Sequence, residues 1–198
     1  TKGLNAKIPL IVYNGAFVVD NVTGEILLSN FMGSSAAPLL DDLLAHDIYP
    51  IVYSIIDGVE KFSYIYSKCS TGMQEFLDSR AKDPRERPVE TLSELYDGNI
   101  FYVTCIDAQE KLEPLWHTYK DLFHCVFQRD IYSGEQWLEF MPLQASKANA
   151  AKQLKTLLNC DKLVVFGDGK NDIDLFESAD ESYAMENALD EIKRVSKF

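Results

Sequence analysis

The stretch from Leu163 to Asp172 constrains the fold of this chain more than any other. Leu163-Val164-Val165-Phe166 is a short apolar run, three of its four residues β-branched or aromatic, and it predicts a buried strand. The run stops at Gly167-Asp168-Gly169, and Asn171-Asp172 open a helical pattern that continues through Ile173, Leu175 and Phe176. A buried parallel strand that ends in acidic and amide side chains sets those groups at its carboxyl edge, where open α/β sheets bind ligands. Asp168 and Asp172 lie four residues apart beside glycines that admit a ligand to the backbone, a pattern that suits a hard cation such as Mg2+.

Two other motif readings fail on spacing. An EF-hand loop starting at Asp168 requires glycine at 173 and glutamate at 179, where the chain has Ile173 and Ala179. A dinucleotide fingerprint requires its third glycine where Asp172 stands. A plain acidic turn with solvated carboxylates stays open on the turn residues alone.

Charge narrows the partners. With a net charge of −12, the chain is a poor candidate for nucleic acid or anionic membranes. No apolar run approaches the ~20 residues that span a bilayer, and the first residues lack the charged-then-apolar plan of a signal peptide. Cys69, Cys105, Cys125 and Cys160 are widely spaced with no C-x-x-C, which predicts reduced thiols and a cytoplasmic protein. His46, His117 and His124 have no metal-ligand spacing. A phosphate ester bound by so acidic a chain needs a locally positive site, made from a metal, a lysine and helix N-termini.

Along the chain, Pro9 to Tyr13 predicts a strand stopped at Asn14-Gly15, which reads chiefly as turn chemistry. Ala16 to Asp20 and Glu25 to Leu28 predict a hairpin around Asn21–Gly24. From residue 33 to 141 the pattern changes. Ser34-Ser35 are expected to cap a helix carrying Leu39, Leu40, Leu43 and Leu44. Ile48–Ile56 and Val59–Tyr66 form a hairpin at Asp57-Gly58. Thr71–Ala81 is a helix with Met73, Phe76 and Leu77 inward, and 82–88 is a charged, proline-bracketed loop. A short helix near Glu90–Tyr96, a strand Ile100–Ile106, a helix within Gln109–Leu122 and a hairpin of His124–Tyr132 with Gln136–Phe140 complete the unit. This order predicts an α+β sheet with helices on one face. Pro142 marks a return: Ser146 is a helix N-cap, Lys147 lies in the first turn, and Leu154, Leu157 and Leu158 follow at helical spacing. A lysine there opposes the helix dipole, a cost that an anion at the same place would offset.

Gly-Asp-Gly-x-Asn-Asp after an apolar strand, followed by Ser182-Tyr183-Ala184-Met185 and Asn187-Ala188, resembles the last signature of the haloacid dehalogenase-like phosphatases. The segment PLIVYNGAFVVDNVTGEIL and the Ser-Lys before an Ala-rich helix are similar to the Cof-type branch, which carries a type IIB cap. Glu186 stands where that family commonly has glycine. The resemblance implies an α/β fold: a doubly wound parallel-sheet core from 1–32 and 142–198, incomplete at its N-terminus, with an inserted α+β cap at 33–141. It implies that Asp168 and Asp172 serve a Mg2+ site and that Lys147 and Asn171 bind phosphate. The implied substrate is a small phosphorylated metabolite, with sugar phosphates foremost. Two motifs of the family are absent, the Asp-x-Asp-Gly-Thr that carries the nucleophile and the Ser or Thr that ends the next strand; Thr1–Asn5 aligns with the helix end after the latter. The chain is therefore expected to need a missing N-terminal segment for activity. A sugar phosphomutase of the same fold and a non-catalytic binding or regulatory module are the alternatives.

Overall fold

A computed structural model of the chain describes residues 7–130, 134–169 and 172–198. The expected helix end at Thr1–Asn5, the turn residues Tyr132 and Ser133, and Asn171 lie outside the described residues. In chain order the elements are β1 (Leu10–Val12), β2 (Phe17–Val19), β3 (Ile26–Ser29), α1 (Ala36–Ala45), β4 (Ile51–Ile56), β5 (Val59–Tyr64), α2 (Thr71–Ser79) and β6 (Glu86–Pro88). They continue with β7 (Asn99–Asp107), α3 (Gln109–Tyr119), β8 (His124–Arg129), β9 (Gln136–Met141), α4 (Lys147–Leu157), β10 (Val164–Gly167), α5 (Ile173–Ser178), β11 (Glu181–Ala184) and α6 (Asp190–Val195). Short 3-10 turns stand at Tyr13–Gly15, Gly33–Ser35, Tyr66–Lys68 and Leu92–Tyr96. The chain divides into two compact units: one runs through Asn30 and resumes over Gln144–Phe198, the other is Phe31–Leu143. No helix of the described residues is long and apolar enough to cross a membrane.

In the Phe31–Leu143 unit a six-stranded sheet runs β6-β5-β4-β7-β9-β8. Period-two alternation divides its side chains between two faces. Val52, Val103, Cys105, Leu138 and Phe140 pack with Leu39, Leu40 and Leu43 of α1 and Leu112 and Leu115 of α3. Ile51, Phe62, Tyr64 and Ile106 pack with Met73 and Leu77 of α2. Helices therefore cover both faces, which corrects the expectation of a single covered face: helical periodicity shows that a helix has an apolar stripe but not which side of a sheet receives it. The loop expected at 82–88 is corrected in part, since Glu86–Pro88 is an edge strand parallel to β5. Its charges are partnered across that edge, Arg85 with Glu60 at 2.8 Å and Arg87 with Asp97 at 2.6 Å. Ser35 does not cap α1 with its side chain; its hydroxyl donates to the Met32 carbonyl at 2.6 Å. Ser70 Oγ does cap α2, accepting from the Met73 N–H at 3.2 Å.

In the other unit β1, β2 and β3 form an antiparallel sheet and β10 and β11 a parallel pair. The pair is joined through α5, as parallel neighbours require a crossover. Val165, Phe176, Ala179, Ala188 and Ile192 form the core beneath it. Helix α4 packs on α5, on β1 and β2 and on the Tyr13–Gly15 turn, and it does so through Ala148, Ala150 and Ala151. Leu157 and Leu158, expected on the buried stripe, are exposed. The class is α/β, as expected, with a parallel β10–β11 pair. Among the described residues β1–β3 and β10–β11 form separate sheets, and β10 has β11 as its only strand neighbour, as in a core whose parallel sheet is incomplete.

Candidate active site

Asp168 follows the last residue of β10, and its side chain is exposed there. Asn187 Nδ2 donates to Asp168 Oδ2 at 3.1 Å, and the Leu189 N–H donates to the Asp168 carbonyl at 3.1 Å. Asp172 turns back under the same loop. Its Oδ2 accepts from the N–H groups of Asp168 and Gly169, both at 3.3 Å, and its Oδ1 accepts from Lys147 Nζ at 2.7 Å. The structure thus brings Lys147, Asp168 and Asp172 to one strand end. Partial burial opposes ionisation of Asp172, but the Lys147 ammonium and the two N–H donors outweigh it and hold its pKa below the ordinary carboxylate value.

The position of Lys147 has a local cause. Ser146 is extended at the start of α4, and its Oγ accepts from the Asn149 N–H at 3.1 Å. The lysine at the following position opposes the helix dipole, and the Asp172 carboxylate offsets that cost. The anion at this helix start is therefore first of all the chain's own, a pairing over 25 residues of sequence that spacing alone does not reveal.

Two glycines permit these approaches. At Gly167 a Cβ would stand 2.7 Å from Asp172 Oδ2 and 2.8 Å from Phe176, so only glycine lets the carboxylate close on the strand end. At Gly15 φ is +103° and a Cβ would lie 2.3 Å from the Ser146 carbonyl oxygen. The turn at Asn14-Gly15 is thus more than turn chemistry, since it seats the start of the helix that carries Lys147. Gly15→Ala is expected to lower stability by roughly 2–3 kcal/mol, from left-handed strain and displacement of Ser146. A thermal melt checks this; an unchanged melting temperature would show that the turn does not brace α4.

Among the described residues no group of three His, Cys, Asp or Glu side chains converges for a metal. The donors nevertheless fit a hard cation. Asp168 is an exposed carboxylate whose Oδ1 has no partner among the described residues. Mg2+ keeps several waters and takes one or two carboxylates, completing its shell with phosphate oxygens. Asp172, with both oxygens engaged, is placed to brace the loop. Asn187 was visible in the sequence only as part of a signature; its contact with Asp168 spans 19 residues and comes from the β11–α6 turn.

The comparisons agree on one family. The model of the haloacid dehalogenase-like hydrolases matches residues 1–198. A Bacillus subtilis 5-amino-6-(5-phospho-D-ribitylamino)uracil phosphatase is 28% identical over 211 aligned positions, covering 96% of this chain and 72% of that protein. A Streptococcus pyogenes serotype M6 relative is 38% identical over 194 positions, covering 96% of this chain and 68% of the relative. In structure, a subclass IIB sugar phosphatase of the same superfamily aligns with a TM-score of 0.68 over 96% of this chain and 68% of its own, at 14% identity, a likeness of fold. With its strand-end Asp168, the Lys147–Asp172 pair and a family match over residues 1–198, the chain belongs to the haloacid dehalogenase-like hydrolases.

Proposed function

We propose that this chain belongs to a Mg2+-dependent phosphatase of small phosphorylated metabolites, sugar phosphates foremost. The observation that carries the proposal is the Lys147–Asp172 ion pair, 2.7 Å long, beside the exposed carboxylate of Asp168. An ammonium has three N–H donors. Asp172 engages one and aims the side chain, leaving the others for phosphoryl oxygens. Lys147 would bind the transferring group, joined by Asn171, and Asp168 would hold Mg2+, with Asp172 bracing the site. The cation supplies charge neutralisation in phosphoryl transfer. In a chain of net charge −12, Lys147 with a cation held by Asp168 would make the locally positive site that a phosphate ester requires. The B. subtilis relative and the fold neighbour are both named for phosphate esters of polyhydroxylated carbon chains, which supports the substrate class. Residues 1–32 with 142–198 would act as the catalytic core and 33–141 as the cap that selects the substrate.

The nucleophile would come from a further segment carrying Asp-x-Asp-Gly-Thr on a strand that pairs with the free edge of β10, near Val164 and Val165. What supports this is that, among the described residues, β10 pairs with β11 alone, so its other edge carries no backbone ladder. An unpaired strand edge is an aggregation hazard that native proteins cover.

The test is product analysis on the complete protein with a panel of sugar phosphates. Free inorganic phosphate is expected, with release abolished by chelation and restored by Mg2+. A rearranged phosphosugar in place of free phosphate would overturn the hydrolase in favour of a mutase, and binding without turnover would overturn it in favour of a binding module.

A further inference from the structure

Asp168 is held by more than its own loop. The connection from β11 to α6 is tied to the end of β10 at three points. The Met185 N–H donates to the Gly167 carbonyl at 3.0 Å, the Leu189 N–H donates to the Asp168 carbonyl at 3.1 Å, and Asn187 Nδ2 donates to Asp168 Oδ2 at 3.1 Å. The connection closes on itself through the Ala188 N–H to the Met185 carbonyl at 2.9 Å, and Ala188 and Ile192 anchor it in the core at 6% and 0% exposure. Asn187 is therefore carried on a clamped turn. On the other side Asp172 Oδ2 takes the Asp168 N–H. The backbone N–H, the backbone carbonyl and one carboxylate oxygen of Asp168 are all engaged, and among the described residues Oδ1 alone is left over.

We propose that Asn187 is a positioning residue: its amide fixes one oxygen of Asp168 and so aims the other at the cation. This rests on the assignment of Asp168 to Mg2+ made above. The choice of an amide has a chemical reason. A neutral donor orients the carboxylate and leaves its full negative charge for the metal, whereas a lysine in the same place would neutralise that charge and compete with the cation. Partners of this kind, one bond removed from a metal, typically change affinity 10–100-fold when lost. A turn residue that served the backbone alone would have no reason to reach Asp168 with its side chain.

The test uses the complete protein with Asn187→Ala and, as a bulkier variant without the donor, Asn187→Leu. Mg2+ binding is measured by calorimetry without substrate, and the melting temperature is measured in chelator. Both variants are expected to weaken the Mg2+ Kd by about 10–100-fold, to melt in chelator near the wild-type temperature, and to recover most of kcat at saturating Mg2+. An unchanged Kd in either folded variant would overturn the proposal. So would a fall in chelator melting temperature that accounts for the weaker binding, since that marks a purely structural turn residue. Asp168→Ala separates the levels: if it abolishes Mg2+ binding while both Asn187 variants bind normally, Asn187 alone is misassigned; if it binds Mg2+ normally, the metal assignment and the Asn187 proposal fall together.

Discussion

Asp168→Ala in the complete protein is expected to lower Mg2+-dependent phosphate release by about 10³-fold or more, the upper range for loss of one preorganised electrostatic group. The fold should hardly notice. The Asp168 side chain is exposed, and among the described residues its one side-chain hydrogen bond is to Asn187, so the stability change should be about 1 kcal/mol or less. Its backbone N–H and carbonyl, which organise the strand end, are untouched by the substitution. The measurement is kcat/KM across a Mg2+ titration with a thermal melt beside it. Near-normal activity at limiting Mg2+ would contradict the assignment.

Lys147→Ala should cost two quantities at once. Phosphoryl transfer should fall by about 10²–10³. Stability should fall too, by about 1–3 kcal/mol, because Asp172, its side chain only 13% exposed, loses its charged partner. The anion that the lysine's place at a helix start calls for is, in the structure, the Asp172 carboxylate at 2.7 Å. The double variant Lys147→Ala with Asp172→Asn separates the two effects: it should regain much of the stability and none of the activity. Unchanged kcat and KM in Lys147→Ala would reduce the lysine to a structural partner of Asp172.

What could be read from the sequence was local. The apolar run before Asp168, the Ser146 cap and the Asp57-Gly58 hairpin each follow from a few adjacent residues, and each stands where expected. What could not be read depended on distant partners. Glu86–Pro88 looks like a loop because its charges and prolines suit one, and it becomes a strand only by pairing with Phe62–Tyr64. The short helix expected near Glu90–Tyr96 is the Leu92–Tyr96 turn, and a capping box of Thr91 and Glu94 sets its start. At the site, residue types were legible and contacts were not. Lys147 meets Asp172, Asn187 meets Asp168, and Gly15 meets Ser146, each across a gap that only the fold closes. Leu157, Leu158, Val164 and Phe166 read as core residues and are exposed.

The central claim is that Lys147, Asp168 and Asp172 form one half of a phosphatase site whose nucleophile arrives on a strand beside β10. The most direct measurement is single-turnover phosphate release from a sugar phosphate with Mg2+, by residues 1–198 alone and with a supplied segment bearing Asp-x-Asp-Gly-Thr. The account predicts no release by residues 1–198 and Mg2+-dependent release once the segment is present. Turnover at ordinary enzyme rates by residues 1–198, verified by intact mass and free of any other chain, would contradict it.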